Sequence, residues 1–531
     1  MTGLALLLAA AALAFGFAKW LRLPAIPLLL LAGFGLKGLA NLAGIDIDEA
    51  DLSNLVEMGL AVLVFAAGID LSPQRLKGRL KPILVVGISQ FVVLGSAGIG
   101  LSFLLNYDLT TALYIGCALS ASSTIVVVKQ LQNRQIMFTP FGRLVLGILL
   151  LQDVTVIFLI VALIHTPDGA MAVAQGLGKT FGLAMLAYAV HRWAIPIITG
   201  KMRLDDEERM LFALGTLFLF TTLANFLGLP FIVGGFLAGF ALSAFPMNGL
   251  IRGMIGSITS FFLALFFISI GFICTIPNPE MFWHAAVFVI VLVIITVVLV
   301  TYLAERTGYS TRASIESGVL LSQTSEFSLL VAFIGLTTQQ ISAEIFSMIT
   351  LITVGTMTLT PFIAKDAIIW KLMRLHPRNR NRSQVATNLE GHAIIIGFGQ
   401  SGPKMLKAFS EAGVPVLVID DDAAVIKSLL ARGIDCIEGD GSDPLILDKA
   451  RARYARALLA TIRRTRDATQ LLEAVKGSDA KVIIRTFEPN DRTLVERNGG
   501  IAVDTVEAAT KAFMDWYDVN LVKAEPAASE A

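Results

Sequence analysis

Residues 149–157 read Leu149-Leu150-Leu151-Gln152-Asp153-Val154-Thr155-Val156-Ile157, an aliphatic run of the kind that spans a bilayer, with an amide and a carboxylate side by side in its middle. A carboxylate near a bilayer centre costs about 2.5 kcal/mol or more on insertion scales, so it persists only with a partner or a purpose. Asp153 can take up and release a proton, and through its oxygens it can ligate a hard cation. One group that must choose between a proton and a cation is the minimum chemistry of an exchanger. The competing reading is a fixed structural acid, paired with a basic residue or capping a neighbouring helix. Intramembrane acids face protein or water rather than lipid, which favours the functional reading.

Composition places this stretch in context. The 531 residues are 55% hydrophobic and only 16% charged, with a mean hydropathy of +0.73. A soluble chain carries about 25% charged residues. The apolar excess fills the first two-thirds, whereas beyond Arg374 the charge density is that of a cytosolic domain. The pattern predicts a polytopic α-helical membrane protein with a soluble tail. A net charge of +1 gives no reason to expect a nucleic-acid partner. Cys117, Cys274 and Cys436 lie far apart and form neither a disulfide framework nor a metal motif. The run Leu4 to Phe17 has no basic region before it and further spans after it, so it reads as the first helix rather than a signal peptide.

Apolar runs of about 17 to 25 residues can cross a bilayer. About thirteen are present, from one centred near Ala11 to one near Thr353. Alternate connections carry Lys19 and Arg22, then Arg75, Lys77, Arg79 and Lys81, then Arg134, then Arg192, Lys201 and Arg203. Arg252, Arg306, Arg312, Lys371 and Arg374 continue that side, while Asp46, Asp48, Glu49, Asp51, Asp168 and Glu280 fall on the other. Only Lys37 and Lys179 depart from the alternation. By the positive-inside rule the N-terminus is outside and the tail is cytoplasmic, as an odd number of spans requires.

The third span, Phe65-Ala66-Ala67-Gly68-Ile69-Asp70, resembles the tenth, Phe267-Ile268-Ser269-Ile270-Gly271-Phe272. Seven spans separate the copies, so they would be inverted across the membrane, as in many secondary transporters. Small and apolar residues alone could produce this match by coincidence. The fifth and twelfth spans are more informative. Ser120-Ala121-Ser122-Ser123-Thr124 interrupts the one and Ser322-Gln323-Thr324-Ser325-Glu326 the other. Such clusters can satisfy a broken backbone and leave half-helix ends facing a cavity, although any one hydroxyl could simply join packed helices. Asp153 is expected against the crossing of the two breaks, where oxygen ligands suit sodium or potassium. Glu326 is open to three readings: a proton relay, a partner for Arg312 or a helix-end cap. Its place near the cytoplasmic end of its span favours a structural or gating pairing. Asp70 reads as solvated at a membrane face.

These residues resemble the monovalent cation:proton antiporter-2 family, and within it the Kef-type potassium efflux systems. The matching pieces are Ser122-Ser123-Thr124, Gln152-Asp153, Phe266-Phe267-Ile268-Ser269-Ile270-Gly271, Leu320-Leu321-Ser322-Gln323 and Glu326-Phe327, in family order. The resemblance implies a sodium/proton-antiporter-like fold, with a core of two inverted bundles beside a dimerisation domain and an elevator-like movement. It also implies a homodimer, possession of an ancillary soluble regulator, and residence in a bacterial inner membrane. The Gln-Asp pair is similar to that of potassium-type members. Asp153 then inherits the cation and proton role, with Gln152, Ser123, Thr124, Gln323 and Glu326 around it. Many members carry a lysine in the eleventh span; here Ala285 to Leu303 holds none, and Thr296 takes its place. Thr324-Ser325 stands where two glycines commonly precede the acid.

His376 to Leu389 is basic, with Arg378, Arg380 and Arg382, and reads as a linker at the membrane surface. A strand, Ala393 to Ile396, then runs into Gly397-Phe398-Gly399-Gln400-Ser401-Gly402. A helix follows, then a second strand, Pro415 to Ile419, ending in Asp420-Asp421-Asp422. Strand, G-x-G-x-x-G, helix, strand and acid form the dinucleotide fingerprint in its proper context. The glycines admit a pyrophosphate to the helix N-terminus, and Asp420 can accept from ribose hydroxyls. Further short strands predict a doubly wound parallel, Rossmann-like sheet. This order resembles the RCK or TrkA-N regulatory domain, which implies that Asp440 lies by the adenosine, with Arg485 also carried over. Asp420 suits NAD(H) or AMP better than NADP.

The sequence thus divides into an exchanger domain at 1–374, a linker at 375–389, a nucleotide-binding domain at 390–516 and a disordered tail at 517–531. The tail holds no catalytic pair, so the nucleotide is expected to regulate rather than react, and the chain is not read as an enzyme. The leading function is potassium/proton antiport at Asp153. A sodium/proton antiporter of the same fold stays open. A potassium channel would need a Thr-Val-Gly-Tyr-Gly pore loop, which the sequence lacks. A tethered dehydrogenase would need a substrate domain for which too little chain remains.

Overall fold

The chain is described from a computed structural model covering residues 2–518, apart from 22–24, 44–48, 72–79, 135, 138, 202–204, 244–248, 277, 377–388, 400, 421, 462–464 and 487–488. The basic linker residues Arg378, Arg380 and Arg382, the loop charges at 46, 48, 75, 77 and 79, Gln400, the Asp70 side chain and the chain end from 519 lie outside the described residues. The chain forms two compact units. The first holds most of residues 1–369; the second holds 370 onward together with 132–136 and 305–314.

In the first unit the helices are α1 (Thr2–Leu21), α2 (Ala25–Ala43), α3 (Glu49–Asp70), α4 (Leu80–Leu104), α5 (Leu109–Ser120), α6 (Thr124–Asn133) and α7 (Pro140–His165). They continue as α8 (Ala170–Ala189), α9 (Ile195–Lys201), α10 (Asp206–Phe226), α11 (Phe231–Leu242), α12 (Gly249–Ile273) and α13 (Pro279–Arg306). The last are α14 (Thr311–Leu321), α15 (Glu326–Thr337), α16 (Ala343–Ile363) and α17 (Asp366–Leu375). Among the described residues, ten segments are long and apolar enough to cross a membrane, against the about thirteen the sequence predicts, and three further apolar helices are shorter. Two of the ten are the broken spans, α5 with α6 and α14 with α15.

Helix starts follow local chemistry. Asp108 caps α5 by accepting from the Thr110 and Thr111 amides, Thr139 caps α7 ahead of Pro140, and Asp205 with Glu208 forms a reciprocal capping box on α10. Ser325 restarts the twelfth span as the cap of α15.

The inverted repeat is written in glycines. A Cβ on Gly68 of α3 would lie 2.2 Å from the Phe236 carbonyl oxygen of α11, and one on Gly239 of α11 would lie 2.1 Å from that of Phe65. A Cβ on Gly271 of α12 would lie 2.0 Å from the Leu30 oxygen of α2, and one on Gly33 of α2 would lie 2.0 Å from that of Ile268. A shift of seven spans, from the third forward to the tenth and from the ninth back to the second, turns the first contact into the second. Small residues let the backbones touch, which is how helices associate where lipid offers no hydrophobic drive. Helices α4, α5, α7, α15 and α16 pack together as a separate group that carries both breaks.

The second unit contains a six-stranded sheet: β1 (Ala393–Ile396), β2 (Val416–Asp420), β3 (Cys436–Glu438), β4 (Ala457–Ala460), β5 (Lys481–Thr486) and β6 (Ile501–Asp504). The strands are parallel in the order β3-β2-β1-β4-β5-β6. This is the doubly wound order, with its switch point between β1 and β4. The β1 residues Ala393 to Ile396 are all buried, as a central parallel strand covered on both faces requires. The connecting helices are α18 (Gly402–Glu411), α19 (Ala423–Ala431), α20 (Pro444–Lys449), α21 (Thr465–Ala474) and α22 (Pro489–Arg497), and α23 (Thr505–Tyr517) follows β6.

Candidate functional site

The first candidate site lies where the two broken spans meet α7. Asp153 is 1% exposed, and its Oδ2 accepts from the Thr124 hydroxyl at 3.0 Å. The neighbouring Gln152 accepts from the Ser122 amide at 3.0 Å, while its Nε2 is buried with no hydrogen-bond partner. Ser122 donates its hydroxyl to the Leu321 carbonyl at 2.7 Å, which ties the end of α14 to the first break. Ser123 donates to Glu326 Oε2 at 2.7 Å, and its oxygen accepts from the Val126 amide at 3.3 Å. Ser328 reaches the Ala118 carbonyl, so each break satisfies backbone left open by the other.

Glu326 is therefore the first residue of α15, bonded to Ser123 across the crossing. An acid at a helix N-terminus is favoured by the exposed amides and the helix dipole. Of the three readings of Glu326, pairing with Arg312 is overturned. Arg312 bonds Asp440, Ser442 and Asp467 instead. Gln323 lies in the second break, 1% exposed, with neither amide atom hydrogen-bonded. Thr296, at the position of the missing lysine, is fully buried with an unpartnered hydroxyl. Buried amides and hydroxyls normally find partners, so the spare amide atoms of Gln152 and of Gln323 in the second break suit a ligand that is itself polar or charged.

Sequence reading did not single out Gln90, which donates to the Ser122 hydroxyl at 3.1 Å from a fully buried position on α4. Its signal was available: it is an amide within an otherwise apolar helix. Thr356 of α16, which meets Thr324 at 3.0 Å, carries a weaker signal because threonine is common in such helices.

The second candidate site is the C-terminal edge of β1 and β2. Gly397 has φ +79°, and a Cβ there would lie 2.5 Å from the Thr461 hydroxyl, so only glycine fits. A Cβ on Gly399 would meet nothing within 4 Å, and one on Gly402 would lie 2.6 Å from the Phe398 ring. Thus Gly397 serves the turn, Gly402 the helix packing, and Gly399 leaves an open approach. Ser401 caps α18 without a side-chain hydrogen bond; the Gly402 amide donates to the Phe398 carbonyl and Pro403 has no N–H, so Lys404 carries the remaining amide of the first turn. This arrangement fits a phosphate-bearing nucleotide.

Asp420 receives the Phe398 amide on Oδ2 at 2.6 Å and the Asp422 amide on Oδ1 at 2.8 Å, so it braces the glycine loop as well as facing it. Asp440 Oδ1 accepts from the Ser442 amide and hydroxyl at 2.8 and 2.7 Å, and its Oδ2 accepts from Arg312. Burial alone would raise this carboxyl's pKa, but the Arg312 guanidinium beside it holds the group below the ordinary carboxylate range. Arg485 stands near the C-terminal end of β5, separated from β1 by β4. No group of three or more His, Cys, Asp or Glu able to hold a metal ion occurs among the described residues.

Comparison with known proteins accords with both halves. Residues 4–366 match the transmembrane sodium/hydrogen exchanger family, and residues 393–507 match the TrkA-N domain. The chain is 28% identical over 498 residues to the chloroplastic K(+) efflux antiporter 3 of Arabidopsis thaliana, covering 84% of this chain but only 64% of that longer protein. It is 26% identical over 494 residues to the provisionally named K(+) efflux antiporter KefB of Alkalimonas amylolytica, covering 85% and 74%. The sodium proton antiporter MjNhaP1 of Methanocaldococcus jannaschii is similar in fold, with a TM-score of 0.51 at 14% identity over 70% of this chain and 98% of its own. The reciprocal glycine contacts, the crossed breaks and the matched family together mean that this chain belongs to the sodium/hydrogen exchanger family, in the Kef-type arrangement that ends in a TrkA-N domain.

Proposed function

We propose that the chain is a monovalent cation/proton antiporter that moves potassium outward against protons and answers to a nucleotide bound by its tail. The observation that carries this reading is Asp153, a buried carboxylate that accepts from the Thr124 hydroxyl beside an amide with a spare donor. Protonated, it is neutral and can face the low-dielectric interior; ionised, it demands a counter-cation. Proton and cation therefore exclude each other at one oxygen pair, and each crossing in one direction requires the other's return. Gln152, Ser123, Thr124 and Gln323 supply oxygens around the acid, and Glu326 fixes charge at the crossing of the breaks. Potassium is favoured over sodium by the Gln152-Asp153 pair and by the relatives named for potassium efflux.

The exchanger domain is assigned to 1–374, with the linker at 375–389 and the nucleotide-binding domain at 390–516. NAD(H) or AMP would lie over Gly397 to Gly402, with its ribose toward Asp420. The protein is assigned to a bacterial inner membrane as a homodimer, with its N-terminus outside and its tail in the cytoplasm. Transport assays in proteoliposomes test the central step. D153N should abolish cation-dependent proton flux while leaving a folded protein. Undiminished flux would remove Asp153 from the mechanism. Initial rates with potassium against sodium, at several pH values, decide which cation is exchanged.

A further inference from the structure

Arg312 is the second residue of α14, and residues 305–314 belong to the same compact unit as the nucleotide-binding sheet. Its guanidinium is buried and serves four partners. One nitrogen donates to Asp440 Oδ2 and to the Ser442 hydroxyl at 3.1 Å, the other to Asp467 Oδ1 at 3.2 Å, and the planar group lies 5.1 Å from the centre of the Trp370 ring. Asp440 comes from the loop after β3, and Asp467 from the first turn of α21 after β4. These are loops from both sides of the switch point, the crevice where a doubly wound sheet takes its nucleotide. The amide of Gly439 donates to the Asp420 carbonyl at 2.9 Å, so the Asp440 loop is fastened to the strand end that presents the ribose acid.

Asp440 is thus fully engaged within the protein. Both of its oxygens are occupied, one by Ser442 and the other by Arg312. The Ser442 contacts are local and survive any ligand. The arginine comes from a segment 128 residues away, and it is the partner that can leave.

We propose that Arg312 is a ligand-displaceable latch, competing with the adenosine moiety of a bound adenine nucleotide for Asp440. When the nucleotide takes Asp440, the arginine loses its stronger anchor but keeps Asp467, the Ser442 hydroxyl and the Trp370 face. This rests on the nucleotide reading given above and names how occupancy would be sensed. α14 carries Arg312 in its first turn and ends at Leu321, whose carbonyl accepts from Ser122 at the first break.

The test uses full-length protein in nanodiscs and titrates adenosine and AMP calorimetrically. Adenosine carries the diol without phosphate charge, so it isolates the competition from the repulsion that an unpaired Asp440 would impose on AMP. R312Q should bind adenosine about tenfold tighter than wild type, the scale of one lost competing hydrogen bond to a charged group. R312K, which keeps a charge but loses the fork that reaches Asp440 and Asp467 together, should also bind it tighter than wild type, and it serves even if R312Q fails to fold. Wild-type binding with unchanged affinity in the variants would overturn the latch alone. Weaker binding in R312Q would overturn it too, by making Arg312 a ligand contact. A wild-type protein that binds neither adenosine nor AMP would overturn the nucleotide reading itself.

Discussion

Asp153 and Glu326 are both buried acids joined to the same break by adjacent hydroxyls, yet their surroundings assign them different work. Glu326 begins a half-helix, where an acid faces the helix N-terminus; Asp153 sits in the middle of α7. E326Q, which keeps an acceptor for Ser123, is expected to lower the melting temperature while retaining cation-dependent flux. E326A also strands the Ser123 hydroxyl and should cost a further 1–3 kcal/mol or about that. The glycine loop offers a cleaner separation. G397A forces an L-residue to φ +79° and should destabilise the tail by about 1–2 kcal/mol. G399A meets nothing in the protein, so melting should be unchanged while AMP affinity falls. For Asp440 the sign follows from its depressed pKa. A carboxyl held below its unfolded value contributes stability that is present above about pH 3.9 and is lost as pH falls through the folded value. R312Q should therefore melt below wild type at pH 7, with the gap narrowing in strong acid.

At the scale of elements, the breaks stand because each supplies the other's missing partners. Neither α5 with α6 nor α14 with α15 could leave its backbone open in a membrane alone, and the bonds Ser122 to Leu321 and Ser328 to Ala118 cross between them. The glycine contacts set the approach of whole helices. G271A would place a Cβ 2.0 Å from a backbone oxygen of α2, which no side-chain rotation relieves, so α2 and α12 must separate. Loss of folded protein is expected in size-exclusion profiles of G271A, whereas G100A, with nothing within 4 Å, should behave as wild type.

For the whole molecule, the apolar spans and the alternation of loop charge make a topology that labelling can read. Cys117, Cys274 and Cys436 are buried, so introduced cysteines dominate the signal. D168C should react with an impermeant maleimide in intact cells, and K427C only after permeabilisation. The reverse pattern would turn the chain over and place the nucleotide site outside the cell. The fold is duplicated, but the sequence of its halves is scarcely so. The glycines at 33, 68, 239 and 271 are kept by backbone contact, while the remaining positions vary with what each helix faces.

Much of this was legible in the chain itself, because it concerns neighbours. Hydropathy marked the spans, Ser, Thr and Gln marked the two interruptions, and the spacing of glycines and acid marked the nucleotide fold. Those signals are local, set by residues a turn or a strand apart. What only the tertiary structure decided is which distant groups meet. Glu326 finds Ser123 rather than Arg312, Gln90 joins the break from α4, and Arg312 closes on Asp440 across 128 residues. A carboxylate or an amide declares in sequence that it needs a partner, but the partner's identity is fixed by helix packing and chain crossing, which no short stretch encodes.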